Sequence, residues 1–181
     1  MKAKILVQSM LWTVLGLSLA GPMYAQSCWT VAGTTGTVDE ENLGQVSMAN
    51  GNLQVLSTAP LPAGVTSRFS VTGLPQDTGA VKHYWTLSAR YKDNGNPDAR
   101  VQLLFHSQNL FTSAFTNLAL LDSDVGTQSS GLQTLVATSS CVLGGGFDFF
   151  DNTYFIEAAL TKNTAAGSPI LQVLQVCVFD C

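Results

Sequence analysis

From residue 26 onward, hydrophobic and polar positions alternate. In "HYWTLSARY" Trp85, Leu87, Ala89 and Tyr91 fall on one side, and Tyr84, Thr86, Ser88 and Arg90 on the other. "ARVQLLFHS" sets Val101, Leu103 and Phe105 against Gln102, Leu104 and His106, and "TYFIEAALT" sets Tyr154, Ile156, Ala158 and Leu160 against Phe155, Glu157, Ala159 and Thr161. In "VTSRFSVT" Val65, Phe69 and Val71 share their side with Ser67. A period of two over so many segments predicts half-buried strands. Further strands are predicted in "NLQVLS" from Asn52, "FTNLALLD" from Phe115, "LQTLVAT" from Leu132 and "ILQVLQVCVF" from Ile170. The last alternates poorly around Gln172 and Gln175, which predicts a bulge there or burial on both faces.

Turn signals separate these runs: "MANGN", "APLPAG", "GLPQDTG", "KDNGNPD", "DSDVGTQSSG", "LGGGFD" and "KNTAAGSP". Helical periodicity is almost absent. Strands at this spacing predict an all-β fold, a single antiparallel β-sandwich of jelly-roll type. "KDNGNPD" and "KNTAAGSP" both read as tips of β-hairpins joining the strands on either side. No repeat and no linker divides residues 26–181, so they are read as one β-sandwich domain.

Residues 1–25 follow another pattern. Lys2 and Lys4 precede an apolar run from Ile5 to Ala20, then Gly21-Pro22 and Met23-Tyr24-Ala25. This is the layout of a secretory signal peptide cleaved after Ala25. The apolar run is short for a membrane span, which needs roughly 20 residues. The expectation is a secreted or periplasmic protein with no membrane span after cleavage. The mature chain would carry six basic and twelve acidic residues, a net charge of −6. Sparse, outnumbered cations argue against nucleic acid or an anionic membrane as partner.

Export gives the four cysteines, Cys28, Cys141, Cys177 and Cys181, a meaning: two disulfides. Zinc is disfavoured because only Cys177 and Cys181 lie close together in sequence. If "KNTAAGSP" is a hairpin tip, Cys177 falls beside Tyr154, near the Gly-rich loop that follows Cys141. That predicts Cys141–Cys177, with Cys28–Cys181 joining the chain ends. The alternative is Cys28–Cys141 with Cys177–Cys181, which requires "CVFDC" to turn rather than extend.

The candidate chemistry is thin. Asp93, Asn96 and Asp98, with Asn94, sit around Gly95 and offer oxygen ligands of the kind calcium takes. The EF-hand spacing fails, since Gly95 occupies a ligand position and no Glu follows at position twelve, so a plain loop explains the same residues. Asp122, Asp124, Asp148 and Asp151 are the distant carboxylates that would complete a site. Glutamate is confined to Glu40, Glu41 and Glu157, which leaves little for paired-carboxylate glycosidase chemistry. His83 and His106 both read as surface histidines, and no G-x-S-x-G elbow occurs. No cofactor motif is present.

"GTVDEENLGQV", "LSARYKDNGNPDARVQLL", "FDFFDNTYFIEAALTK" and "PILQVLQV" resemble segments of a group of uncharacterised secreted bacterial proteins. The resemblance implies a small exported β-sandwich and brings no activity with it. The functional expectation is a non-catalytic extracellular module binding a glycan or other cell-surface component. Tyr84, Phe155 and Glu157 are the candidate contacts, with Trp29 and Tyr154 as further aromatics. A structural or surface-assembly protein and a secreted hydrolase are the alternatives.

Overall fold

A computed structural model describes residues 26–94, 97–126 and 129–181. The expected signal peptide, residues 1–25, and the calcium candidate Asn96 lie outside the described residues.

Two antiparallel sheets face each other. The first holds β1 (Gln26–Ala32), β3 (Val46–Ala49), β4 (Asn52–Val55), β6 (Lys82–Lys92), β9 (Gln133–Thr138), β10 (Val142–Leu143) and β12 (Ile170–Asp180). The second runs in the order β2 (Thr37–Val38), β5 (Ala63–Val71), β11 (Asn152–Lys162), β7 (Ala99–Asn109), β8 (Phe115–Asp122). The long strands give the orders β4-β12-β6-β9 and β5-β11-β7-β8, and among them successive strands pass from sheet to sheet except β7 and β8, which pair directly. This is jelly-roll connectivity, and it bears out the expected architecture.

The predicted inward residues form the core. Leu87, Tyr91, Val101, Leu103, Phe105, Ile156 and Leu160 are each no more than 1% exposed. Phe105 meets Trp85 edge-on at 5.3 Å and Phe147 at 5.9 Å between ring centroids. Aromatic pairs favour such edge-to-face contact over a direct sandwich. Ser67 lies among them, fully buried, and Gly36 passes directly over it: a Cβ at Gly36 would overlap the Ser67 hydroxyl and the Phe69 ring.

The poor alternation in the last strand has a geometric cause. The pairing of β12 with β6 shifts register between Leu171 and Val173, so Gln172 is a bulge. Leu171 faces the core before it, and Leu174, Val176 and Val178 after it. One extra residue restores the inward face after a break of parity.

Two expectations are corrected by this topology. "KDNGNPD" is not a hairpin tip, because β6 and β7 belong to different sheets. "KNTAAGSP" is not one either, because β11 and β12 also do. Both are arches between sheets, and they lie side by side. Asn94 Nδ2 donates to Ala166 O (2.9 Å), Asn163 Nδ2 to Pro97 O (2.8 Å), and Asn163 N to Asp98 O (2.9 Å).

The disulfides follow from the same correction. β12 pairs with β1, a strand absent from the sequence reading, and sets Cys177 directly opposite Cys28. The bridges are Cys28–Cys177 and Cys141–Cys181, not Cys141–Cys177 and Cys28–Cys181. The hairpin register that placed Cys177 near Tyr154 does not exist, because those residues sit in separate sheets.

Candidate functional site

The outer face of the five-stranded sheet carries a dense group of chemically active side chains. Strand pairing aligns them in rows. One row runs Ser70, Phe155, His106, Asn117 across β5, β11, β7 and β8. The next runs Arg68, Glu157, Leu104, Leu120. A third holds Thr153, Gln108 and Phe115.

Three rings make the centre. His106 lies 4.5 Å from Phe115 and 5.2 Å from Phe155, and the two phenylalanines are 5.6 Å apart. His106 faces outward from its strand as expected, yet it is only 5% exposed because both phenylalanines lean over it. Its Nδ1 meets Asn117 Oδ1 at 2.9 Å, which fixes the imidazole between the rings. Phe115 keeps 53% of its surface open. A register shift between Phe105 and His106 turns the end of β8 so that Phe115 and Asn117 both arrive on this face.

Beside the rings lies a charged group. Arg68 donates from Nε to Glu157 Oε2 (3.1 Å) and from Nη1 to Asp39 Oδ1 (3.0 Å). These bonds, the one from Glu157 foremost, raise the guanidinium above its ordinary value. Asp39 ends the β2 segment, whose Thr37 pairs with Arg68, so the short edge strand delivers the second carboxylate. Glu157, a candidate contact on the outward side of its strand, is half-buried and paired to Arg68.

A groove of about 480 Å³ opens next to this group. Arg68, Ser70, Thr153 and Phe155 form its floor, and Leu110 and Phe149 its wall. Ligand pockets typically range from about 300 to 1,000 Å³. Leu110 and Phe149 come from two turns tied together by the Leu110 N–Asp151 O bond of 2.7 Å.

The remaining candidates lie elsewhere. Tyr84 is on the outer face of the other sheet and stacks on Phe179 at 4.9 Å, so one ring face is already covered. Trp29 packs against the core. Tyr154 is 8% exposed, its hydroxyl accepts from Asp148 N (3.0 Å), and burial pushes that hydroxyl above its ordinary value. Asp98 Oδ1 accepts from Thr164 Oγ1 at 2.7 Å, and so secures the neighbouring arch. Asp93 is fully buried at the end of β6. Its charge adds to the burial that raises Tyr91, and contributes to the rise of Asp124. His83 stands between Asp180 (2.9 Å) and Asp77 (3.9 Å). Among the described residues no three His, Cys, Asp or Glu side chains group as metal ligands.

The chain matches no protein-family model and no curated protein. Among solved structures it is similar to the xylan-binding module CBM15, at 13% identity and TM-score 0.46, covering 87% of this chain and 98% of that one. It is similar also to the C-terminal CBM6 of LamC from Zobellia galactanivorans, at 12% identity and TM-score 0.45, covering 83% and 98%. A family two carbohydrate esterase from Cellvibrio japonicus matches at 14% identity and TM-score 0.42. There the match covers 87% of this chain and only 35% of that protein. These likenesses concern the β-sandwich alone.

Proposed function

We propose that this protein is an exported, non-catalytic module that binds a glycan on the outer face of its five-stranded sheet. The observation that carries the reading is an aromatic surface, Phe115 and Phe155, set beside hydrogen-bonding groups on the same sheet face, with a groove along the Phe155 side. A sugar ring presents an apolar C–H face and a rim of hydroxyls. The first matches the face of an aromatic ring. The second matches the amides of Asn117 and Gln108 and the carboxylates of Glu157 and Asp39. Two disulfides support the export part of the reading.

The arrangement does not favour glycoside hydrolysis. Glu157 and Asp39 share one guanidinium, that of Arg68, which fills the space between them. A glycosidase needs that space for the scissile bond.

Affinity electrophoresis through gels loaded with soluble polysaccharides tests the reading. Retardation by at least one polymer is expected, with loss of retardation in Phe155→Ala and Phe115→Ala at unchanged circular dichroism. Equal retardation of both variants and wild type would remove this face from consideration.

A second reading, self-association, has one specific observation in its favour. Phe111 and Phe150, on the two turns that wall the groove, are 79% and 78% exposed. Sedimentation velocity decides it: a dimer lost on Phe111→Ser with Phe150→Ser supports assembly through this tip.

A further inference from the structure

We propose that the ligand of this face is an uncharged glycan, and that Arg68 serves to hold two carboxylates in place rather than to receive an anion. The inference rests on the glycan-binding reading and adds the substrate class.

The charges on and beside the face decide it. Its cations are Arg68 and Arg100. Arg68 is paired to Asp39 and Glu157. Arg100 is paired to Asp122 and Asp124. Two guanidiniums against four carboxylates leave the face two charges negative. The other cations within the described residues lie away from it. Lys82, Arg90 and Lys92 share the outer side of β6 with Tyr84, on the opposite face of the molecule. Lys162 is 1% exposed, and its Nζ donates to Leu56 O (3.3 Å) and Ser57 O (2.8 Å). A uronate or sulfate reaching the groove would meet a guanidinium already held by two acids. To gain Arg68 it would have to displace one of them, and the displaced carboxylate would then lie beside the incoming anion.

The free valences point the same way. Arg68 takes Oε2 of Glu157 and Oδ1 of Asp39, leaving Oε1 and Oδ2 as acceptors beside the groove. A carboxylate oxygen accepts and cannot donate. Its complement is a hydroxyl donor, and neighbouring hydroxyls of a neutral pyranose supply two. Hydrogen bonds to ionised acceptors are roughly twice as strong as neutral ones. Binding of an uncharged ligand also changes no ion pairing with solvent, so salt leaves it nearly unaffected, whereas attraction of a polyanion is screened.

Titration of the exported protein at low and high salt tests this, using β-glucan, xylan and mannan as neutral polymers and alginate and polygalacturonate as acidic ones. At least one neutral polymer should bind, with Kd changing less than about twofold with salt. Both acidic polymers should bind at least about tenfold more weakly. The double variant Asp39→Asn with Glu157→Gln, which frees Arg68, should narrow or reverse that ratio. Asp39→Asn alone should move it in the same direction, and serves if the double variant does not fold. Tightest binding to an acidic polymer, weakened by salt, would overturn the neutral-ligand inference while leaving glycan binding in place. Binding to neither class would overturn both.

Discussion

Arg100 and the carboxylates around it show how single residues divide the work on the edge of the candidate face. Asp122 accepts from Arg100 Nε at 2.9 Å and from Arg100 Nη2, from Gln102 Nε2 at 3.0 Å and from Asp124 N at 3.1 Å. The Arg100 bonds hold its carboxyl below the ordinary aspartate value. Asp124 is pushed up, first by burial and then by the negative charges of Asp122 and Asp93. The signs are opposite. A lowered carboxyl stabilises the fold above its unfolded value of 3.8, and that contribution is lost as pH falls through the lower folded value. The melting temperature should therefore drop on acidification below about pH 4, and Asp122→Asn should flatten the decline. At neutral pH Asp122→Ala should cost about 1–2 kcal/mol, discounted for the exposure of Arg100. Asp124→Asn should cost less than Asp122→Asn, because the charge it removes is one the fold disfavours. Urea titrations of the variants across pH check both statements.

At the scale of the strand, β12 is the organising element. It pairs with β6, β1 and β4, and its bulge at Gln172 sets which side chains reach the core. Deleting Gln172 would close the bulge and leave Leu171, Leu174, Val176 and Val178 on one face in regular alternation, because Val173 and Leu174 already pair with the residues that follow Tyr91 in the ladder. Cooperative unfolding should therefore survive that deletion, and Gln172→Ala should stay within about 1 kcal/mol of wild type. The same strand carries one end of the Cys28–Cys177 bridge, whose sequence separation is 149, against 40 for Cys141–Cys181. On the chain-entropy account, closing these loops stabilises by about 5 and about 4 kcal/mol. Cys28→Ser with Cys177→Ser should thus destabilise more than Cys141→Ser with Cys181→Ser. Non-reducing peptide mapping should yield the Cys28–Cys177 and Cys141–Cys181 peptides, and a Cys141–Cys177 peptide would contradict the structure.

The whole molecule is polarised in both charge and apolar exposure. Paired acids dominate one sheet face, Lys82, Arg90 and Lys92 line the outer side of β6 on the opposite one, and open phenylalanines mark the tip formed by the 109–114 and 148–151 turns. The core and the tip should respond differently to loss of an aromatic. Phe105→Ala removes a fully buried ring in contact with Trp85, Phe147 and Tyr154, and should cost about 3–5 kcal/mol. Phe111→Ser with Phe150→Ser removes two largely exposed rings and should change stability by less than about 0.5 kcal/mol per site. Thermal denaturation separates the two cases. A large loss at the tip would mean that these rings are covered in the working assembly.

Alternation of side chains is a local property, so the chain by itself determined most of the long strands, their inward faces, the all-β class and the break in alternation around Gln172, though not β1. Phe155 and Glu157 were legible as outward residues for the same reason. What each strand pairs with is not local. The 93–98 and 163–169 segments carry ordinary turn residues, which serve an arch between sheets as well as a hairpin. Reading them as hairpins misplaced Cys177 and the disulfides with it. Arg68 drew no notice in the sequence because nothing near it in the chain is acidic. Its partners come from Asp39, 29 residues before it, and Glu157, 89 residues after it. Phe115, Asn117 and His106 become one cluster only through the register shift between β7 and β8. Side-chain period is written in consecutive residues. The candidate face is written in register between strands far apart in sequence, which only the packed sheets decide.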